Sequence, residues 1–325
     1  MGRIGYGLVA AAIGLGLTTA RAQQDTAAIP PGQIAFVVPL AAGGPLDAAA
    51  RMIAERLGQR LGRTIIVENR TGAGGNIGAA YVAKAAPDGL TWLYTIDSVL
   101  TVNPHLYASQ GFDVAKDLAP AARVGVNTLA LVVNVRRSDA KTFAELLAAS
   151  KKNELNFASA GIGSPGHIAF EYLRMATGIK GVHVPYRGAA PAMQDIVSGV
   201  VDAGFVTAGA SLPHIESGVL RALAVSNANR SAQLPGVPTA QQAGITGFEA
   251  GFANYLLAPA RSDPKMRAMI GGHVKEIMQD KDVQARLISL ATEPTFADEV
   301  ESVARIASDR EKWGQIVKAA GVKVN

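Results

Sequence analysis

The recurring pattern along the chain is an apolar run, a glycine-rich break and a one-sided helical stripe. Residues 34–38, Ile-Ala-Phe-Val-Val, are apolar throughout and read as a strand buried on both faces. A glycine loop over 40–44 follows. Leu46, Ala49, Ala50, Ile53 and Leu57 then fall on one helical face. Gly44 suits the N-cap, and Pro45 the first helical position, where its missing N–H costs nothing. The unit repeats as a strand over 64–67, a loop over 72–76, a helix over 77–86 and a third strand over 90–96. Later strands are predicted at 130–134, 155–158, 182–184, 200–206, 220–225 and 254–257. A helix over 142–151 takes Thr142 as N-cap, with Glu145 completing a capping box. Another opens at 159–165 and runs to about 177, and a third starts near Pro191. The tail over 264–320 reads as mostly helical. Alternating strands and helices predict an α/β fold with parallel sheet. Two such sets and a helical return predict two lobes, with the chain crossing between them near 123–134 and 225–255.

Composition narrows what such a fold can do. The chain has 325 residues, 49% of them hydrophobic, with 35 Gly, 16 Pro and no Cys. Its length exceeds the roughly 250–300 residues at which a single core stops growing. Without cysteine there is no disulfide framework, thiolate metal site or thiol nucleophile. The formal charge of +5 is scattered, with no dense basic run beyond pairs such as Arg136-Arg137 and Lys151-Lys152, so no nucleic-acid partner is expected.

The N-terminus changes the charge picture. Arg3, an uncharged stretch from Ile4 to Ala20 and the Ala20-Arg21-Ala22 triplet form the n-region, h-region and cleavage site of a secretory signal. Cleavage after Ala22 removes Arg3 and Arg21 and lowers the formal charge to +3. The expectation is a periplasmic protein, where ATP and NAD(P)H are not supplied.

The search for catalytic chemistry excludes more than it finds. Gly161-Ile-Gly163-Ser-Pro-Gly166 matches the dinucleotide fingerprint in letters, but the next strand ends at Tyr186-Arg187 without the acidic residue that would hold a ribose. Neither glycine loop carries the Gly-Lys-Ser/Thr of a phosphate loop. The five histidines show no metal-ligand spacing, and there is no Gly-x-Ser-x-Gly elbow. No metal, no cofactor and no enzyme activity are expected. What remains are two loops, 40–44 and 159–165, each aiming free backbone N–H groups and a helix dipole outward, a chemistry that suits carboxylate or phosphate. A dipole contributes only about 0.3–1 kcal/mol per end, whereas a micromolar ligand needs about 8 kcal/mol. Charge-assisted hydrogen bonds and enclosure between lobes must supply the difference.

The sequence resembles the periplasmic solute-binding receptors of tripartite tricarboxylate transporters, the Bug family, over nearly the whole mature chain. The stretches that carry the resemblance include Val38-Pro-Leu-Ala-Ala-Gly-Gly-Pro-Leu-Asp47, Val67-Glu-Asn-Arg70, Gly72-Ala-Gly-Gly-Asn-Ile-Gly78, Ala86-Pro-Asp-Gly89 and Asn103-Pro-His-Leu-Tyr107. His183-Val-Pro-Tyr-Arg-Gly188, Leu212-Pro-His-Ile215, Leu234-Pro-Gly-Val-Pro-Thr239 and Leu257-Ala-Pro259 add to it. The resemblance implies a two-lobed periplasmic-binding-protein (Venus-flytrap) fold, type II-like, that closes on a small organic carboxylate and serves the membrane permease subunits of a tripartite transporter. Carried onto matching positions, Leu40, Ala41, Ala42, Gly43 and Asp47 form one clamp, and Gly163, Ser164 and His167 the other. Asn76, Ser98, Ser159 and Tyr186 become wall residues. Asp47 either orients a water or pairs with Arg51 at i,i+4.

Three regions depart from the family's pattern. Val99-Leu100 replaces a Thr-His pair, Val206-Thr207 replaces an Asp-Asn pair, and a Trp is lost around Ala253-Asn254-Tyr255. Thr207 joins the expected wall. If these positions line the far part of the pocket, the ligand has one clamped carboxylate and a less polar, even aromatic, body. The expected layout is a signal peptide over 1–22, a first lobe from 23–127, a second from 128–225, and a return over 226–325 through the hinge to the first lobe and the C-terminal helices, in a monomer. Two other readings are open: a ligand-loaded co-sensor for a signalling system, and a secreted hydrolase using Ser164 and His167.

Overall fold

The structure, a computed structural model, describes residues 29–324; the signal segment lies outside the described residues. Strand β1 (Ile34–Val38) leads into helix α1 (Pro45–Leu61), with Gly44 as N-cap and Pro45 at the first position. Gly62 ends α1 in the left-handed conformation, at φ 64. Then come β2 (Ile65–Asn69), a 3-10 turn (Ala73–Gly75), α2 (Asn76–Ala83) and β3 (Thr91–Ile96). Three short helices, α3 (Ser98–Thr101), α4 (Asn103–Leu106) and α5 (Val114–Asp117), precede β4 (Leu118–Asn127).

The second set runs β5 (Leu129–Asn134), α6 (Phe143–Lys152), β6 (Leu155–Ser159), α7 (Pro165–Thr177), β7 (Gly181–Pro185), α8 (Ala189–Ser198), β8 (Ala203–Thr207), α9 (Ala208–Glu216) and β9 (Leu220–Val225). The return comprises β10 (Phe252–Pro259), α10 (Pro264–Ile277), α11 (Lys281–Ser289), β11 (Thr292–Ala297) and α12 (Glu299–Ala320). At α6 the Thr142 hydroxyl accepts from Glu145 N–H at 3.2 Å, while the Glu145 carboxylate reaches back to Lys141 N–H at 2.5 Å.

Two sheets form the two lobes, in the orders β11-β4-β10-β3-β1-β2 and β7-β6-β8-β5-β9. Both are mixed, which corrects the parallel-sheet expectation. β1 pairs in parallel with β2 and β3, but β10 runs antiparallel to β3 and β4, and β11 antiparallel to β4. In the second sheet β6 is parallel to β7 and β8, whereas β5 is antiparallel to β8 and β9. The antiparallel strands arise where the chain changes lobes and re-enters from the opposite direction.

Two strands were not expected. β4 contains Pro120 and Gly125 among small residues, and β11 contains Pro294, so neither has the β-branched run that marks a strand. Sheet context overrides the weak propensity. A Cβ on Gly125 would lie 2.6 Å from the Glu293 carbonyl, so glycine is what lets β11 approach β4 this closely.

Apolar clusters cover both faces of each sheet. The two lobe crossings lie side by side and are tied together. Ser226 N–H donates to Leu129 O at 2.8 Å, Leu129 N–H to Ser226 Oγ at 3.0 Å, and Asn227 Nδ2 to Thr128 Oγ1 at 2.6 Å. The last helix does not belong to the first lobe alone. α12 packs on β4, α3 and α4, and equally on α7 of the second lobe. Its Trp313 is fully buried, stacked on Phe252 at 5.2 Å and edge-on to Tyr172 at 6.1 Å.

Candidate functional site

The carboxyl ends of β1, β3, β4, β6 and β8 and the start of β10 face a cavity of about 760 Å³ between the lobes. Its lining includes Leu40, Leu46 and Ile96 from the first lobe, and Ser159, Ser164, Phe205, Val206 and Thr207 from the second. Four helices begin at this cavity. Pro45 of α1, Pro165 of α7, Ala189 of α8 and Thr207, the N-cap of α9, all line it. Each helix leaves its first-turn N–H groups without an intrahelical partner. The N-caps Gly44, Gly188 and Thr207 make no side-chain capping bond; only Ser164 does, accepting from His167 N–H. No Lys, Arg, Asp or Glu lines the cavity among the described residues. The positive potential here comes from oriented backbone dipoles.

The expected clamp residues divide into those that face the cavity and those that hold the loops behind it. Leu40, Ser159, Ser164 and Thr207 line it. Ala41, Ala42 and Gly43 form the exposed turn beside Leu40, with Gly43 at φ 82. Asp47 is 3% exposed, and its carboxylate is fully engaged. It accepts from Gly43 N–H at 3.0 Å, from Arg51 Nε and Nη2 at 3.0 Å each, and from Asn69 Nδ2 at 2.9 Å. Burial pushes its pKa up, but the hydrogen bonds from Arg51, Gly43 and Asn69 more than reverse this and hold it below the ordinary value. The i,i+4 pairing of Asp47 with Arg51 is present. Asp47 shapes the first loop from behind.

His167 holds the second loop in the same way. Its Nδ1 accepts from Gly163 N–H at 3.0 Å, and its Nε2 lies 3.6 Å from Glu171 Oε1. Glu171 is buried and also pairs with Arg174 at 2.7 Å. Both ring nitrogens of His167 are thus occupied. Ser164 meets only the His167 backbone, so the two do not form the nucleophile–base pair of a hydrolase. Ser159 Oγ instead lies 2.6 Å from His183 Nε2, accepts from Gly161 N–H and donates to Gly161 O, both at 3.1 Å. Burial first, and then the neighbouring His167, lower the His183 pKa to about 4, leaving a neutral ring at neutral pH.

The remaining expected wall residues lie off the cavity. Asn76 is buried at the start of α2, accepting from Asn103 Nδ2 at 2.9 Å and Gln110 Nε2 at 2.8 Å. Ser98 is buried at the start of α3. Tyr186 donates to Asp195 Oδ2 at 2.6 Å; burial, with Asp195 adding to it, pushes its phenol up to about 12. Of the positions that depart from the family pattern, Val206, Thr207 and Asn254 line the cavity, whereas Val99 and Leu100 are buried away from it.

The sequence reading missed Asn127, Met193, Gln194, Val197, Phe205, His214 and Phe252 as lining residues. Most sit on a helix face or strand end that reaches the cavity only through sheet order, and no local motif marks them. Asn127 and Asn254 do carry a signal, two asparagines at the lobe crossings. They spend it on each other: Asn127 Nδ2 donates to Asn254 Oδ1 at 2.8 Å and to Phe252 O at 2.8 Å, and Asn127 Oδ1 accepts from Thr292 Oγ1 at 2.8 Å.

Comparison with known proteins places this architecture. Residues 49–322 match the family described as the tripartite tricarboxylate transporter family receptor. The chain is similar to Protein BugT of Bordetella pertussis (strain Tohama I), 34% identical over 318 residues, which cover 97% of this chain and 98% of that protein. Among solved structures it is similar to R. palustris Rpa4515 with adipate, at a TM-score of 0.80 and 28% identity over 90% of this chain and 99% of that one. It is also similar to the periplasmic binding protein BugD, at a TM-score of 0.77 and 31% identity over 91% and 100%.

Proposed function

The chain belongs to the tripartite tricarboxylate transporter receptor family, and from that premise we propose that it captures a small organic carboxylate with a largely apolar body and presents it to the membrane permease subunits of such a transporter. The family is one of solute-binding receptors, not enzymes. The observation that carries the reading is the convergence of four helix N-termini on a cavity without a charged acid or base. A carboxylate bound there takes its hydrogen bonds from backbone N–H groups, at about 1.5–3 kcal/mol each for a charged acceptor, while the apolar walls bury the rest. Val206 and Thr207 in the lining support a less polar ligand than a short hydroxy-diacid.

With this reading go a periplasmic location after cleavage behind Ala22 and action as a monomer. The lobes are assigned to 23–127 and 128–225, with 226–325 returning through the hinge. The test is mass spectrometry of ligand that co-purifies, followed by thermal shift across a carboxylic-acid library. A carboxylate should be recovered unchanged and should raise Tm with concentration. Recovery of a neutral solute, with no acid in the library binding, rejects the reading.

A further inference from the structure

Two stretches that stand out in the sequence, 72–78 and 103–107, contribute nothing to the cavity lining. They meet each other instead. Asn103 Nδ2 donates to Gly74 O at 3.0 Å and to Asn76 Oδ1 at 2.9 Å. Gln110 Nε2 donates to the same Asn76 oxygen at 2.8 Å and to Val99 O at 2.9 Å. Asn76 and Asn103 are 4% and 5% exposed, so this tie is buried. A second tie joins α4 to α12, where His105 Nε2 donates to Arg310 O at 2.8 Å. A Cβ on Gly314 would lie 2.6 Å from His105 Cε1, so a glycine inside α12 is what seats the ring. Glycine weakens a helix interior, and here it admits this contact.

A helix of four residues has no stability of its own. The place of α4 is therefore set by these two ties. What they place is Leu106. Its side chain belongs to one buried apolar cluster with Val102 and Trp313 and with Phe157, Ile168 and Phe170 of the second lobe. It also lies against Gly163, where any Cβ would run into Leu106 Cδ1. Gly163 is in the loop that leads into α7, and its N–H is held by His167 Nδ1. The loop is thus gripped by His167 from its own lobe and by Leu106 from the opposite one.

We infer that Asn76, Asn103 and His105 are positioning residues for carboxylate capture, holding Leu106 as a cross-cleft brace that fixes the loop at the N-terminus of α7. None of the three lines the cavity. A clamp made of backbone N–H groups tolerates little displacement, because a hydrogen bond weakens steeply as its geometry departs from linear. The brace keeps those groups aimed when the lobes meet. Because all three residues act through Leu106, their effects on binding are shared and do not add. This inference rests on the carboxylate reading above.

The test titrates benzoate, hexanoate and octanedioate calorimetrically into the full protein and takes the tightest binder as probe. Leu106→Ala, Asn76→Ala, Asn103→Ala and His105→Ala should each weaken its binding about 3- to 10-fold, within the range of coupled neighbours. Leu106→Met, of similar volume, should keep most of the affinity. Adding Asn103→Ala or His105→Ala to Leu106→Ala should lower Tm further but weaken binding by less than about twofold more. A merely structural role would lower Tm and leave affinity alone. Equal affinity in Leu106→Ala and the parent, or losses that multiply in the double variants, overturn the brace and leave the carboxylate reading intact. If no acid binds, lobe separation decides the brace, and a neutral solute recovered from the purified protein then overturns the carboxylate reading. The chain has no cysteine, so spin labels at Glu55→Cys on α1 and Lys151→Cys on α6, both exposed, measure that separation without ligand. Leu106→Ala and Asn103→Ala should broaden its distribution alike; distributions matching the parent's overturn the brace.

Discussion

The imidazole rings of His167 and His183 lie face to face, 3.6 Å apart and within 7° of parallel. One ring fixes the Gly163 N–H and the other meets the Ser159 hydroxyl, so the pair braces both ends of the second-lobe loop from beneath. The stack tolerates little charge. His183 has its pKa lowered to about 4, by burial first and by His167 second.

Acid should therefore loosen the protein through His183. Its folded pKa lies below the value of about 6.5 for an unfolded histidine. The unfolded chain takes up a proton that the folded chain excludes, so this contribution is complete above about pH 6.5 and is lost as the pH falls towards 4. Thermal melts across that window should show Tm declining with acidity, and His183→Gln, which cannot titrate, should decline less steeply. Parallel slopes for the two proteins would show that His183 is not the group responsible.

Asp97 should act in the opposite sense. Its Oδ2 accepts from Ala253 N–H at 2.9 Å, but its Oδ1 is buried without a partner. Burial above all, and then the charge of Asp309, push its pKa well above the ordinary value, so the fold disfavours its carboxylate relative to the unfolded chain. Asp97→Asn keeps the acceptor and removes that cost. The variant should melt higher at pH 7, by on the order of 1–2 kcal/mol in stability. The gain should shrink as the pH falls through the unfolded aspartate pKa of about 4, where both states of the parent carry the proton. A lower Tm for the variant at pH 7 would contradict a carboxylate disfavoured by the fold.

Two glycines separate backbone strain from contact across the cleft. Gly178 at the end of α7 has φ 68 and open space where a Cβ would be, whereas Gly163 has φ 77 and its Cβ would lie within 2.3 Å of Leu106 Cδ1. Gly178→Ala should cost about 1 kcal/mol from the left-handed backbone alone. Gly163→Ala should cost more, and should weaken carboxylate binding as Leu106 on α4 is pushed off the loop. Denaturant titration and calorimetry of both variants check this; equal losses would remove the contact argument.

Asp47→Ala should act on binding through the loop it holds. Removal frees the Gly43 N–H, the half-exposed Arg51 and Asn69 at once. Because Arg51 recovers hydration, the stability loss should stay at about 1–2 kcal/mol. Carboxylate affinity should fall roughly tenfold, about 1.4 kcal/mol, as the first loop loses its set conformation. Asp47→Asn should recover part of that affinity by again accepting from Gly43. No recovery would mean that the loop does not depend on this bond.

How far the sequence could be read depended on how local each feature is. The Gly44-Pro45 entry to α1, the Thr142 cap of α6 and the Ser164 cap of α7 are set by neighbours a few residues apart, and all three are present. The Asp47–Arg51 spacing was equally visible. The Asn69 contact was not, because it follows from the parallel pairing that sets Val38 beside Asn69. Pairing of β6 with β7 likewise brings His183 beside Phe157 and so within reach of His167. β4 and β11 escaped notice because prolines, glycine and polar residues interrupt their apolar runs, and they become strands only between partners already formed. Met193, Gln194 and His214 reach the cavity through the order of the second sheet, which no window of sequence contains.

The position of α12 bears on how the molecule is made. Trp313, Ile316 and Val317 belong to the same apolar cluster as Phe157, Phe170 and Leu173 of the second lobe, while the helix also lies against β4 of the first. The second lobe's core is therefore completed only when α12 docks, and the two lobes share one hydrophobic closure. Loss of this helix removes packing from both halves at once.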